Sequence, residues 1–279
     1  MLFETITIVG VGLIGGSIGL AAKKHGVAGR IVGVGRDARK LRQAVDLGAI
    51  DDFTLDLVAG VARANLVIFC TPVDRIAPQV VSMRDRFAAG AIVTDAGSTK
   101  TNIVEAIEPS LPAGNFVGSH PLAGSEKQGV EFANADLFVA RWTVLTPTPR
   151  TDPHALEQAD RFWQALGART RRMSPEDHDR ALALTSHLPH LLAAALAGLL
   201  PAEWRDLAAT GFRDTTRVAG GDPNVWTPIF QHNRRAVEAA LDQLEARLAA
   251  FRQAIAINDV ATIDQLLAQG KKVRDALGS

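Results

Sequence analysis

The chain has 279 residues, of which 47% are hydrophobic and 22% are charged, and this composition excludes disorder and a fibrous repeat while its length favours two domains. Thirty basic residues balance thirty acidic ones, so no long-range basic field exists and neither nucleic acid nor an anionic membrane is expected as a partner. The single cysteine, Cys70, excludes an internal disulfide and suits a reducing cytoplasm.

The first half of the chain alternates short β-branched runs with helical stretches. Such alternation is typical of a parallel sheet that is covered by helices on both faces. Met1 leads directly into the first run without a basic or apolar leader, so no signal peptide is expected. We predict an N-terminal Rossmann-like domain with strands at residues 6–9, 31–34, 66–69, 92–94, 116–118 and 141–145.

A segment rich in turn and cap residues, 146–153, marks the predicted domain boundary, with domains at 1–150 and 151–279. Beyond Met173 the pattern is almost wholly helical, so an all-α C-terminal domain is expected. Residues 191–200 are strongly apolar but fall short of the about 20 residues that span a bilayer, and they are predicted to form a core helix. Because a small apolar helical domain often needs a partner, we predict a homodimer through the C-terminal helices.

A glycine-rich turn follows the first predicted strand and opens a predicted helix. Its first two glycines permit a tight turn and close approach to a pyrophosphate, and the third lets helix and strand pack. Free N–H groups at the helix start attract the anion. A plain strand–helix turn is the alternative. The predicted cofactor-binding residues are Gly10, Gly12, Leu13, Ile14 and Gly15, with Thr71 and Pro72 beyond Cys70.

The choice of dinucleotide depends on the end of the second predicted strand. Gly35 stands where an NAD enzyme usually has an acidic residue, and Arg36 follows it. Arg36 in front of a 2′-phosphate favours NADP, while Asp37, one position later, keeps NAD open. A solvated loop charge is the alternative interpretation of Arg36.

Two further segments follow strand ends, where ligands of open α/β folds bind. The first is Asp95-Ala96-Gly97-Ser98-Thr99-Lys100, and the second runs from Gly118-Ser119-His120-Pro121 to Glu126. Together they are expected to place a hydroxyl and an imidazole near one crevice.

These two segments resemble the most recognisable marks of the TyrA family of prephenate and arogenate dehydrogenases. The resemblance continues in order through residues 176–179, 186–190, 211–218 and 222–226, and so covers nearly the whole chain. It implies oxidative decarboxylation of prephenate or arogenate with hydride transfer to NAD(P)⁺, in tyrosine biosynthesis. The sequence leaves the choice between the two substrates open.

The resemblance implies that His120 takes the proton of the ring hydroxyl as hydride leaves, with support from Ser98. Since an imidazole has an intrinsic pKa of about 6.5, its neutral form is available as a base near neutral pH. The alternatives are a core histidine for His120 and a helix N-cap for Ser98.

The resemblance also implies a set of substrate-binding residues. Arg217 would grip a substrate carboxylate with its planar guanidinium, and its alternative is a salt bridge to Asp214 or Asp222. His187 and His190 have no third ligand at zinc-like spacing, so no metal is expected. The other implied substrate-binding residues are His190, Ser186, Ser125 and Glu126.

Two other functions stay open at this point. One is a different two-domain NAD(P)-dependent oxidoreductase, such as a β-hydroxyacid or imine reductase. The other is a catalytically silent protein that senses NAD(P). The presence of His120, Ser98 and Arg217 favours the dehydrogenase.

Overall fold

The computed structural model describes residues 1–111, 113–124 and 127–278. Its strands are β1 (Phe3–Val9), β2 (Ala28–Val34), β3 (Asp52–Thr54), β4 (Leu66–Phe69), β5 (Ile92–Asp95), β6 (Phe116–Pro121), β7 (Trp142–Thr146) and β8 (Arg169–Arg172). The helices between them are α1 (Leu13–Lys24), α2 (Ala38–Asp46), α3 (Leu57–Val61), α4 (Val73–Ser82), α5 (Thr101–Ile107) and α6 (Pro153–Ala165).

All eight strands form one sheet in the order β3-β2-β1-β4-β5-β6-β7-β8. Strands β1 to β6 are parallel, β7 is antiparallel to β6, and β8 is parallel to β7. The order reverses at β1, which lies between β2 and β4. The carboxyl ends of β1 and β4 therefore border the crevice in which such sheets bind ligands.

Each face of the sheet has its own hydrophobic core, because successive side chains of a strand point to opposite faces. In β4, Leu66 and Ile68 pack with α1 and α6, whereas Val67 and Phe69 pack with α4 and α5. Burial on both faces explains why the strands lack a polar side in the sequence. The predicted Rossmann-like domain is confirmed.

The sheet extends beyond the boundary that was expected at residue 150. Asp152 caps α6, as its sequence indicates, but α6 then buries Phe162 and Trp163 in the core of the sheet. β8 pairs with β7 and adds an eighth strand. Residues 153–172 are thus part of the sheet domain and not of the helical one, and we propose a boundary at residues 172–174.

The rest of the chain is helical. It comprises α7 (Pro175–Leu182), α8 (Leu188–Gly198), α9 (Thr210–Thr216), α10 (Pro223–His232), α11 (Arg234–Ala256) and α12 (Val260–Ala276). A π-helical turn, Ala183–His187, joins α7 to α8 and allows Pro189 to lie at the start of the second helix. The buried core of this part is small and centres on Ala183, Val237 and Ala240.

The segment Pro175–Gly198 is long and apolar enough to cross a membrane, by length and composition only. Its buried positions include His178, Asp179, His187 and His190, which lie against the rest of the protein. Residues 191–200 do not form the core helix that we expected. Leu192 and Leu199 of this segment are exposed, because no element among the described residues covers them.

Candidate functional site

The glycine-rich turn has the geometry that a dinucleotide phosphate requires. Gly10 has φ +94°, and a Cβ there would lie 2.9 Å from the carbonyl carbon of Cys70. A Cβ on Gly15 would lie 2.2 Å from the carbonyl oxygen of Gly10, so the third glycine lets helix and turn pack. A Cβ on Gly12 would meet nothing within 4 Å, which leaves space above the turn. No acidic side chain stands in the first turn of α1, so the turn suits an anion.

Two cavities meet at this turn. The first, of about 590 Å³, is lined by Gly10, Gly12, Arg36, Thr71 and Pro72. The second, of about 410 Å³, shares Gly12, Thr71 and Pro72 and reaches Leu13, Ile14, Gly15 and Ser98. It is also lined by Asp222, Trp226 and Ile229 of the helical part. Every predicted cofactor residue thus lines one cavity or both, and the second cavity lies between the two parts of the chain.

Arg36 and Asp37 differ in what they can offer to a ligand. The Asp37 side chain is the N-cap of α2 and accepts a hydrogen bond from the backbone N–H of Arg39 at 2.9 Å. This bond lowers the pKa of Asp37. Arg36 is exposed and lines the first cavity.

A buried ion pair lies under the site. Lys100 and Asp95 are fully buried, and the Lys100 ammonium donates to the Asp95 carboxylate and, at 2.8 Å, to the carbonyl oxygen of Ser119. Asp95 also accepts from the backbone N–H of Gly97 at 2.8 Å and from that of Ser119 at 3.0 Å. One carboxylate therefore ties the loop that carries Ser98 to the strand that carries His120.

Ser98 does not cap the helix that follows it. Helix α5 begins at Thr101 and has no side-chain cap from its own segment. Instead, the Asp179 carboxylate of α7 accepts from the backbone N–H of Lys100 at 2.7 Å and from that of Thr101 at 2.9 Å. Ser98 is partly exposed and lines the second cavity.

His120 lies within β6 rather than in the loop beyond it, and the residue is partly buried. Its Nδ1 is 2.9 Å from Nε2 of His178, and Nδ1 of His178 is 2.8 Å from the Asp179 carboxylate. Desolvation lowers the pKa of His120 well below 6.5, and the nearby charges of His178, Lys100 and His187 act in the same direction. The imidazole is therefore neutral and can accept a proton at neutral pH.

Three of the predicted substrate-binding residues, Ser186, His190 and Arg217, lie on the helical part. His190 of α8 is buried and stacks on Trp226, with ring centroids 3.6 Å apart and planes inclined by 9°. Ser186 is half-buried in the π-helical turn. Arg217 is exposed and begins a 3₁₀ turn that packs against α8. Ser125 and Glu126 lie outside the described residues.

The histidines of the helical part serve different contacts. His187 is buried, and its Nδ1 is 3.0 Å from the Asn233 amide, while His190 is held by Trp226. Within residues 1–111, 113–124 and 127–278, no cluster of three or more His, Cys, Asp or Glu side chains could hold a metal ion.

Sequence reasoning assigned no role to His178, Asp179 or Lys100. A signal was nevertheless present, because the apolar positions of α7 and α8 are interrupted by ionisable residues at helical spacing. Ionisable side chains on a buried helix face are rarely fully buried without a partner. That pattern indicates contacts with a second polar element, although it does not identify His120 or the start of α5.

Comparisons with known proteins agree with this geometry. Residues 18–172 match the model of the prephenate dehydrogenase nucleotide-binding domain, and residues 174–269 match that of the prephenate dehydrogenase dimerization domain. The two matches meet where the sheet ends and the helices begin. They also confirm the resemblance that was inferred from the motifs.

Individual relatives match over almost the whole chain. Prephenate dehydrogenase of Bacillus subtilis is 36% identical, over 98% of this chain and 76% of its own length. The crystal structure of A. aeolicus prephenate dehydrogenase in complex with hydroxyphenyl propionate and NAD⁺ superposes with a TM-score of 0.92, at 32% identity and 98% coverage of both chains. Synechocystis arogenate dehydrogenase gives a TM-score of 0.84 at 33% identity, covering 98% of this chain and 100% of that one. The chain therefore belongs to the prephenate dehydrogenase family.

Proposed function

We propose that this chain oxidises and decarboxylates prephenate or arogenate with NAD(P)⁺, which yields 4-hydroxyphenylpyruvate or tyrosine. As a member of the prephenate dehydrogenase family, it is an NAD(P)-dependent dehydrogenase. The observation that carries the proposal is the 2.9 Å contact between His120 of the sheet and His178 of the helical part. This contact lies at the junction of the two parts, and the Asp95 carboxylate links the strand of His120 to the loop of Ser98.

The relatives support the chemical class of the substrate. The A. aeolicus enzyme was crystallised with hydroxyphenyl propionate, which shares a phenol ring and a side-chain carboxylate with the proposed product. The Synechocystis relative is an arogenate dehydrogenase. We retain both prephenate and arogenate as candidates, because they differ only at the side chain.

The cofactor assignment rests on the shape of the two cavities. Gly10, Gly12 and Gly15 would hold the pyrophosphate, and Leu13 and Ile14 would line the second cavity beside the nicotinamide. Thr71 and Pro72, which line both cavities, would border the passage between them. A bound NAD(P)⁺ supplies the hydride acceptor. Arg36 at the rim of the first cavity favours a 2′-phosphate, so we propose NADP⁺ as the preferred form.

The chain's own residues would orient the substrate and move one proton. His120 accepts the proton of the ring hydroxyl while the carbinol carbon loses its hydride, and Ser98 hydrogen-bonds the same oxygen. The C–C bond to the ring carboxylate then breaks and CO₂ leaves. The electron pair of that bond completes the aromatic ring, and His120 returns the proton to the phenolate oxygen. Arg217, His190 and Ser186 would hold the carboxylates, and Ser125 and Glu126 would line the pocket.

The direct test is a matrix of initial rates for prephenate and arogenate with NAD⁺ and NADP⁺, repeated with His120→Asn. We expect the substitution to lower kcat by about 10²- to 10⁴-fold with a modest change in KM, since a base in the transition state contributes about that factor. An unchanged kcat in the variant would remove His120 from this role. No turnover of either substrate by the wild-type protein would contradict the proposed function.

The pH dependence gives a second readout for the same base. Desolvation, together with the charges of His178, Lys100 and His187, lowers the pKa of His120 well below 6.5. The neutral ring is required, so kcat/KM should be level above about pH 6.5 and should fall as the pH drops through the lowered pKa. That acid limb should be missing from the residual activity of His120→Asn. An identical limb in the variant would assign it to another group.

We also propose a homodimer that forms through the C-terminal helices and acts in the cytoplasm. Residues 174–269 match a dimerization domain, and apolar side chains of α8, α11 and α12 are exposed in the single chain. A second copy of the chain would cover these apolar side chains.

A further inference from the structure

Three polar side chains form a chain of hydrogen bonds that begins at the predicted base in β6 and leads into α7. His120 Nδ1 faces His178 Nε2 at 2.9 Å, and His178 Nδ1 faces the Asp179 carboxylate at 2.8 Å. His178 is fully buried and Asp179 is 4% exposed. Each ring nitrogen of a neutral histidine is either a donor or an acceptor. The protonation state of Asp179 therefore determines which ring nitrogens of His178 and His120 carry a hydrogen.

Asp179 fixes the far end of this chain. Its carboxylate already accepts the backbone N–H groups of Lys100 and Thr101, at 2.7 and 2.9 Å. Burial raises the pKa of Asp179, but the hydrogen bonds from His178 and Thr101 outweigh it, so the pKa lies below its ordinary value. An ionised carboxylate can only accept hydrogen bonds. Nδ1 of His178 must therefore carry a hydrogen.

His178 passes this constraint to His120. Burial lowers the pKa of His178, and the Lys100 charge adds to this, while Asp179 opposes it. The net shift is downward, so His178 is neutral near pH 7 and its Nε2 holds a lone pair. Nδ1 of His120 must then be the donor in the contact between the two rings. The other tautomer would bring two lone pairs together at 2.9 Å.

We propose that His178 and Asp179 are positioning residues that hold His120 in the Nδ1–H tautomer, so that its Nε2 keeps the lone pair that accepts the substrate proton. This inference rests on the proposed function of His120 as the base. In the same arrangement the imidazolium, once it forms, keeps an acceptor for its Nδ1–H, and that acceptor is itself hydrogen-bonded to a carboxylate. Asp179 also caps α5 and thereby fixes the loop of Ser98 relative to His120.

The first test observes the tautomer without any substrate. In the ¹⁵N-histidine-labelled wild-type protein at pH 7.5, two-bond ¹H–¹⁵N spectra should show His120 with a protonated Nδ1 and an unprotonated Nε2. His120→Gln assigns the resonances. A protonated Nε2 on His120 would overturn the inference, even if the enzyme turns over prephenate or arogenate as proposed.

The second test separates positioning from packing. His178→Leu removes the acceptor, and we expect kcat to fall about 10²-fold with KM changed less than threefold and with loss of the single-tautomer spectrum. His178→Gln keeps a carbonyl oxygen in reach of His120, so its kcat should be at least tenfold higher than that of His178→Leu. His154→Gln, at an exposed histidine of α6, is the control and should match the wild type.

The outcomes distinguish this inference from the proposed function. Equal kcat values for His178→Leu and the wild type would overturn the positioning role while the dehydrogenase activity stands. The positioning role would also be overturned if His178→Leu and His178→Gln lost kcat equally while His120 kept its Nδ1–H signal. If His178→Leu does not fold, the Gln variant and the wild-type spectrum still decide.

Discussion

Arg36 and Asp37 are adjacent in the sequence, but the structure gives them different tasks. A carboxylate can read the ribose 2′-OH of NAD only if its oxygens are available. Asp37 uses an oxygen to cap α2 through the backbone N–H of Arg39, and helix capping contributes about 1 kcal/mol to stability. Arg36, Lys40 and Arg75 line the cavity in which the adenosine ribose would lie, together with Asp37 and Glu131, so basic side chains outnumber acidic ones there.

This difference predicts the effect of removing Arg36. Arg36→Ala should raise KM for NADP⁺ about tenfold or more and leave KM for NAD⁺ within about twofold, because a hydrogen-bonded charge contributes about 1.5–3 kcal/mol. The measurement is a pair of saturation curves at a fixed substrate concentration. Arg39→Ala is the control, since the Arg39 side chain is 94% exposed and lies outside both cavities. A parallel rise in KM for both dinucleotides would contradict a 2′-phosphate contact.

At the residue scale, the sequence predicted the groups that face ligand space better than those that support them. The cofactor residues and Ser98 follow strand ends, and such positions can be recognised from local patterns. His178 and Asp179 could not be placed in this way. Their partners lie 58 and 79 residues away, and only the fold brings them together.

At the element scale, α5 is the point where the sheet and the helical part join. It is a short helix of 7 residues, and its N-terminus has no cap from its own segment. Asp179 supplies the cap from α7, and the buried Lys100–Asp95 pair lies directly before the first turn. Short helices are marginal by themselves, so these long-range contacts hold the loop of Ser98 in place.

The buried pair makes a prediction for stability. Lys100→Met should lower the free energy of unfolding by about 3–5 kcal/mol, because it leaves the Asp95 charge buried without its partner. Urea denaturation followed by circular dichroism measures this change. The double variant Lys100→Met with Asp95→Asn should recover part of the loss, since no unpaired charge remains. A single variant as stable as the wild type would show that the pair contributes little to folding.

The same long-range contacts explain which elements were predictable. Each of the six predicted strands overlaps an observed strand, with bounds that differ by at most three residues, because buried parallel strands have a strong local signature. β3, with three residues, is too short for such a signature. β8 has the sequence Arg169-Thr170-Arg171-Arg172, which has no apolar face. It forms through backbone pairing with β7. The domain boundary was therefore expected too early.

At the scale of the whole molecule, the helical part buries too little of its own apolar surface. No residue of α12 is buried, although the helix has 17 residues and carries Val260, Leu267 and Val273 at exposures of 58–66%. The core of this part consists largely of small residues around Val237. Several exposed large apolar side chains on one small helical part favour a protein interface there.

A second copy of the chain is the partner that we expect on this surface, and its removal can be measured. Sedimentation equilibrium should give twice the mass of one chain at micromolar concentration. The double variant Val260→Glu with Leu267→Glu places two buried charges on each side of the interface, so the mass should fall to that of one chain. Leu47→Glu, at an apolar residue of similar exposure after α2, should remain dimeric. A wild-type monomer would contradict the dimer, whereas a dimeric double variant would exclude α12 from the interface. Because α11 packs against both α12 and the turn between α7 and α8, dissociation should also alter the position of His190 at the start of α8. We therefore expect KM for the substrate to rise in the double variant.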